Sequence, residues 1–151
     1  MMSPHAGTIS GIGDVVAMKT YHGSCHCGNG RFAAAFDLSK GTAKCNCTIC
    51  TKGRYWHVLV QDFCLLSDPD LLFEYAWVAP GQREPRLHYF FCKRCAGGIY
   101  AWGDFGKGGF HVIQVMTLDD LDPDALAAAP LKYEDGLHDR WDRVPADIRL
   151  L

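Results

Sequence analysis

Leu87-His88-Tyr89-Phe90-Phe91-Cys92-Lys93-Arg94-Cys95 joins a strand-like run directly to a C-x-x-C pair. Aromatic residues favour strands, and Leu87–Phe91 is close to the usual strand length. The C-x-x-C spacing lets two neighbouring sulfurs converge on one metal ion. Outward from this segment the same alternation of strand-like runs and turn residues fills the middle of the chain. Arg31–Phe36, Tyr55–Val60, Leu71–Trp77, Gly98–Trp102 and Phe110–Met116 are each bounded by Gly, Pro or Asp. Arg31–Phe36 follows Asn29-Gly30, a hairpin-type dipeptide.

Helix signals are sparse. Asp122 can cap, Pro123 suits the first helical position, Ala125–Ala129 propagate, and Pro130 stops the helix. A single-turn helix near Thr48–Gly53 is the other candidate. The tail, Tyr133–Leu151, is polar and is expected to wrap the sheet as coil. Residues 1–18 are small, Gly-rich and patternless, an expected flexible extension, which leaves 19–151 as one domain. The predicted class is mostly β, short antiparallel sheets with one or two short helices.

The 151 residues are 48% hydrophobic, 12% aromatic and 21% charged. That suffices for one domain with its own core and is too apolar for a disordered chain. No apolar run approaches the ~20 residues of a membrane helix. The start lacks the basic and apolar regions of a secretory signal, so the expected location is cytoplasmic, with cysteines kept reduced. Charge is uneven: up to residue 118 there are 11 Lys/Arg against 8 Asp/Glu, and from 119 onward 4 against 9. The body is only mildly basic, short of a nucleic-acid footprint. Neither a nucleic acid nor a membrane is expected as a partner.

Seven of the eight cysteines form three clusters: Cys25-His26-Cys27, Cys45-Asn46-Cys47-Thr48-Ile49-Cys50, and Cys92-Lys93-Arg94-Cys95. In a reduced chain such spacing points to zinc, which prefers tetrahedral thiolate ligands. Disulfides would need an oxidising compartment, and a thioredoxin-like pair at Cys92/Cys95 would need a βαβ context. Four ligands close one tetrahedron. Cys25, Cys27, Cys92 and Cys95 make that closed, structural site, joining two distant segments. Cys45, Cys47 and Cys50 are left to hold a second ion with one open position, the mark of a catalytic site. Closure of that position by Cys64, His57 or His88 is the alternative. Cys64 otherwise stands alone beside apolar residues and reads as a small core thiol.

An ion held by three thiolates is a modest Lewis acid suited to capturing an exogenous thiol as thiolate, next to an electrophilic carbonyl. Zinc-bound water is a second option, which gives a hydrolytic reading. A third reading is a zinc-stabilised module that binds thiols or a partner without turnover. Lys44, Lys52, Arg54, Lys93 and Arg94 lie within four positions of the ligands. They either hold the carboxylates of an anionic thiol or offset the thiolate charge. His57 and His88 lie in strand-like runs, where packing is the ordinary role, and either is a proton shuttle if it borders the open ion.

Three segments, Tyr21-His22-Gly23-Ser24-Cys25-His26-Cys27-Gly28, Lys44–Cys50 and His88–Cys95, closely resemble one family. It is the glutathione-dependent formaldehyde-activating enzyme family, which also includes centromere protein V. The tail, with Leu118-Asp119-Asp120-Leu121-Asp122-Pro123, Asp135-Gly136 and Trp141, resembles a bacterial branch of it. The resemblance runs from about Lys19 to the C-terminus. It implies a tent-like, mostly β zinc fold with two zinc ions per chain. The structural ion would sit on Cys25, Cys27, Cys92 and Cys95, and the catalytic ion on Cys45, Cys47 and Cys50. It also implies carbon–sulfur lyase activity, the condensation of glutathione with formaldehyde. Lys52, Arg54 and His57 are the candidate substrate-binding residues. Departures from the family pattern include Ala96 after the last cysteine pair, Asn29-Gly30 after the first, and Thr51-Lys52 after the triplet.

Overall fold

A computed structural model of the chain describes residues 18–151. The expected extension, 1–18, lies outside the described residues except for Met18. The fold is mostly β. β1 (Lys19–Ser24), β2 (Arg31–Phe36) and β5 (Asp62–Leu65) form a small antiparallel sheet in the order β1-β2-β5. The larger sheet contains β3 (Thr42–Cys45), β4 (His57–Val60), β6 (Leu72–Ala76), β7 (Leu87–Cys92), β8 (Gly98–Asp104), β9 (Gly109–Gln114) and β10 (Leu131–Glu134). Its order is β10-β3-β4-β9-β8-β7-β6.

Alternation explains the small sheet. On β2, Phe32, Ala34 and Phe36 point inward and are buried, while Arg31 points out. Phe36 stacks on Tyr21 of β1 with ring centroids 4.5 Å apart, and Phe32 on Phe63 of β5 at 5.6 Å. Phe63 reaches across to the large sheet, 4.4 Å from Tyr100 and 4.9 Å from His111. Phe32, Phe36, Ile99, Ile113 and Val115 are nearly inaccessible and make the shared core. Each such side chain contributes about 1.5–3 kcal/mol of apolar burial.

Both expected helices form. α2 (Pro123–Ala128) starts at Asp122, whose carboxylate accepts from the Asp124 amide at 3.1 Å. α1 (Thr48–Gly53) is the single turn expected after the cysteine triplet.

Three expectations change. The tail is not all coil: Leu131–Glu134 forms β10, parallel to β3, because the crossover through α2 returns the chain to the open edge of the large sheet. Cys64 is exposed on β5 rather than a core thiol, since β5 buries Phe63 and Leu65 on its other face. Asn29-Gly30 is not a two-residue turn. Residues 25–30 form a longer connection between Ser24 and Arg31, which pair across the hairpin. Gly30 is required there for space, because a Cβ would stand 2.4 Å from Ile99 Cδ1.

Candidate metal centres and the adjoining cavity

The sulfurs of Cys25, Cys27, Cys92 and Cys95 all lie within 4.8 Å of one another. Cys25 and Cys27 come from the β1–β2 connection, Cys92 ends β7, and Cys95 lies in the turn to β8. This centre therefore joins the small sheet to the large one. The sulfurs of Cys25 and Cys27 are 3.7 Å apart, and those of Cys27 and Cys92 3.6 Å. Backbone amides point at them: Gly30 N–H donates to Cys25 Sγ at 3.2 Å and Arg94 N–H to Cys92 Sγ at 3.4 Å. The amides of Cys27 and Gly97 lower the Cys95 thiol to about 6, which favours the thiolate a metal requires. His26, between two of the ligands, is exposed and outside the group.

Cys45, Cys47 and Cys50 form the second group, also within 4.8 Å. β3 ends at Cys45, Cys47 caps α1, and Cys50 lies within its single turn. Three thiols in mutual contact do not ionise independently. Hydrogen bonds from Cys45 and Cys50, with help from the amides of Cys50 and Ile49, push Cys47 down to about 3. Cys45 is pushed up to about 11, chiefly by Cys47, and Cys50 is also raised, first by Cys45 and then by Cys47.

Among the described residues, no fourth His, Cys, Asp or Glu joins this triplet. Cys64 sits on the other sheet. His88 Nδ1 engages Glu74. His57 is close by, yet its Nε2 faces Glu134 Oε2 at 3.4 Å. Both described groups can hold a metal ion, four-thiol in one case and three-thiol in the other.

Cys47 and Cys50 also form part of the wall of a cavity of about 620 Å³. Register explains its floor. His57 pairs with Gln114, Leu59 with Val112, Val112 with Ala101, and Ala101 with Tyr89. These residues share the face of the large sheet opposite buried Val58 and Ile113. Phe105, from the β8–β9 connection, and Trp141, from the tail, stand over that face with their rings 6.5 Å apart. Tyr55 stacks on Tyr89 at 6.0 Å. Burial and then the neighbouring Cys50 raise both phenols, so they remain protonated donors.

The tail supports the triplet from behind. Asn46 Nδ2 donates to Asp135 Oδ1 at 2.7 Å, and Asn46 Oδ1 accepts from the Leu137 amide at 2.9 Å. Asn46 and then His138 hold the Asp135 carboxyl below the usual carboxylate range.

The predicted substrate residues separate. His57 lines the cavity. Lys52 is exposed on α1 and reaches neither cavity. Arg54 lies behind the triplet with Lys44 and Arg149 in a second cavity of about 290 Å³, and its Nη1 donates to the Leu150 carbonyl at 2.9 Å. Tyr55, Tyr89, Arg86, Lys107, Glu134 and Trp141 line the main cavity, and none of them was a site candidate in the sequence. Strand alternation carries a signal for Tyr89. Nothing local marks Glu134 or Lys107.

No protein-family model matches the sequence. A crystal structure of a Rhodobacter sphaeroides protein aligns with a TM-score of 0.58 at 16% identity, covering 74% of this chain and 99% of that one. The likeness is one of fold. Among the described residues, no helix is long and apolar enough to cross a membrane.

Proposed function

We propose that this protein is a zinc-dependent carbon–sulfur lyase that joins a thiol to a small aldehyde, with glutathione and formaldehyde the pair implied by the family resemblance. The observation that carries this reading is the three-thiol group, with no fourth ligand among the described residues and with Cys47 and Cys50 on the wall of a cavity. The donor sets suit zinc. Four sulfurs at ~2.3 Å around a tetrahedral ion stand about 3.8 Å apart, close to the 3.6 and 3.7 Å found in the four-cysteine centre. Cys25, Cys27, Cys92 and Cys95 would hold a structural ion, and Cys45, Cys47 and Cys50 the working one. When bound there, zinc supplies Lewis acidity that favours the thiolate form of a substrate thiol.

The chain's own residues supply the rest. The sulfur–carbon bond forms as the carbonyl π bond breaks, and the thiol proton ends on the carbonyl oxygen. His57, whose Nε2 lies 3.4 Å from Glu134 Oε2, lines the cavity and carries that proton. The phenols of Tyr55 and Tyr89 are neutral donors for the oxygen as it gains charge. The aromatic walls exclude water and hold the reactants together.

The test is to load the protein with zinc, add glutathione and formaldehyde, and follow adduct formation by NMR exchange. Acceleration over the spontaneous reaction that disappears in Cys50→Ala supports the reading. No acceleration with glutathione or with an aromatic thiol, by protein carrying two zinc ions, overturns it. The sparse polar lining of the cavity favours a second reading, a binding module that captures thiols. Tight thiol binding without turnover would select it.

A further inference from the structure

The main cavity has a chemical polarity of its own. Its floor is built from Leu59, Val112, Ala101 and Tyr89, and its cover from Phe105 and Trp141. The charged groups on its wall are unequally engaged. Glu134 faces His57 at 3.4 Å, and Asp139 Oδ1 accepts from the Trp141 indole at 2.8 Å. Arg86 and Lys107 also line it, and neither belongs to an ion pair among the described residues. Outside the His57–Glu134 contact, the lining carries these two cations against one carboxylate, Asp139, which also belongs to no ion pair among the described residues.

The two ends of the cavity are set by β7. Tyr89 lies toward the triplet end, lining the cavity with Cys47 and Cys50 and stacking on Tyr55. Arg86 precedes the same strand three residues earlier, which at strand rise is roughly 10 Å away. Lys107 comes from the connection that also supplies Phe105, and the Arg86 guanidinium lies 6.0 Å from the Phe105 ring. The sequence of environments is thus three thiols, an aromatic slot, and two cations.

We propose that the cavity selects an aromatic-bodied carboxylate about 10 Å long, with its sulfur at the triplet and its carboxylate at Arg86 and Lys107. The ring stacks in the aromatic slot, where flat π surfaces find matching partners. A tripeptide thiol fits less well, because its amide groups would lose water against walls that offer few hydrogen bonds. The role of the sulfur rests on the lyase reading above. The selection of an aromatic carboxylate does not.

The experiment uses zinc-loaded protein and the quenching of tryptophan fluorescence. The probes are 3-(4-mercaptophenyl)propanoate, its S-methyl ether, 4-methylbenzenethiol and glutathione. The mercapto acid should bind at least tenfold more tightly than glutathione. The S-methyl ether, which forms no thiolate, should also bind more tightly than glutathione. The exposed double variant Arg86→Gln/Lys107→Gln should lose about tenfold toward both carboxylates and nothing toward 4-methylbenzenethiol. Tighter binding of glutathione, or carboxylate binding unchanged in the double variant, overturns the proposal. Binding of both acids with the predicted variant effect, but no condensation of any thiol with formaldehyde, upholds this inference and removes the lyase reading.

Discussion

Gly136 offers a test of the three-cysteine centre that leaves every ligand in place. Its backbone lies against Cys45, and a Cβ there would stand 2.5 Å from Cys45 Sγ and 2.7 Å from the Trp141 ring. Non-bonded atoms settle at about 3.5–4.0 Å, so Gly136→Ala creates an overlap of about 1 Å. Trp141 is half-exposed and can swing away. Cys45 cannot, because it is 1% exposed at the end of β3. A sulfur displaced by even a part of that overlap exceeds the ~0.2 Å tolerance of a metal–ligand bond. The overpacking itself should cost about 1–3 kcal/mol. The assay is metal content per chain by mass spectrometry, with thermal unfolding alongside. The wild type should hold two ions, and Gly136→Ala should keep one, at the four-cysteine centre, with Tm lowered by several degrees. Two retained ions with an unchanged Tm would refute the assignment of Cys45 as a ligand braced by the tail.

Ala96 holds φ at 56°, a left-handed conformation that costs an L-residue roughly 1–2 kcal/mol. Glycine's extra unfolded-state entropy returns part of that, so Ala96→Gly should stabilise by roughly 0.5–1 kcal/mol in urea denaturation. Cys92→Ser, in the centre joining the two sheets, should abolish cooperative unfolding, whereas Cys50→Ser should retain it and lose one bound ion; similar behaviour of the two would refute the structural–working division. Burial, opposed by Asp62, holds the His111 imidazole below its ordinary 6.5. The unfolded chain therefore binds that proton more readily, and stability falls as pH drops below about 6.5 toward the folded-state value. Melts at pH 7.5 and 5.5 should show a smaller decline for His111→Phe than for the wild type.

Much of the β framework was readable because it depends on local residues. β2 alternates over its full length, β7 and β8 are dense in aromatics, and α2 carries its own cap and stop. β1, β3, β5 and β10 were not named: β1 carries no aromatic or β-branched run, and the other three are four residues long with no such run to mark them. Their existence depends on partners. Thr42–Cys45 is a strand because β4 and β10 flank it, and Asp62–Leu65 because β2 offers a free edge. Cys64 shows the same limit: apolar neighbours in sequence suggested burial, but alternation on β5 sends its side chain outward.

The candidate site divides along the same line. Ligand clusters are local, and spacing alone located them. The cavity is not local, since its walls come from five strands and the tail. Its dependence on the tail follows from one feature, the parallel pairing of β10 with β3. In that pairing Glu134 lies opposite Cys45, so both strands end at the same edge. The residues leaving β10 then meet those leaving β3: Asp135 bonds Asn46, and Gly136 lies against the Cys45 sulfur. A tail running antiparallel would leave the sheet at the opposite end and put none of these groups there. The nine carboxylates after residue 118 therefore do more than balance the mildly basic body. Two of them, Glu134 and Asp135, are placed by strand direction to orient His57 and to fix the loop that carries the three thiols.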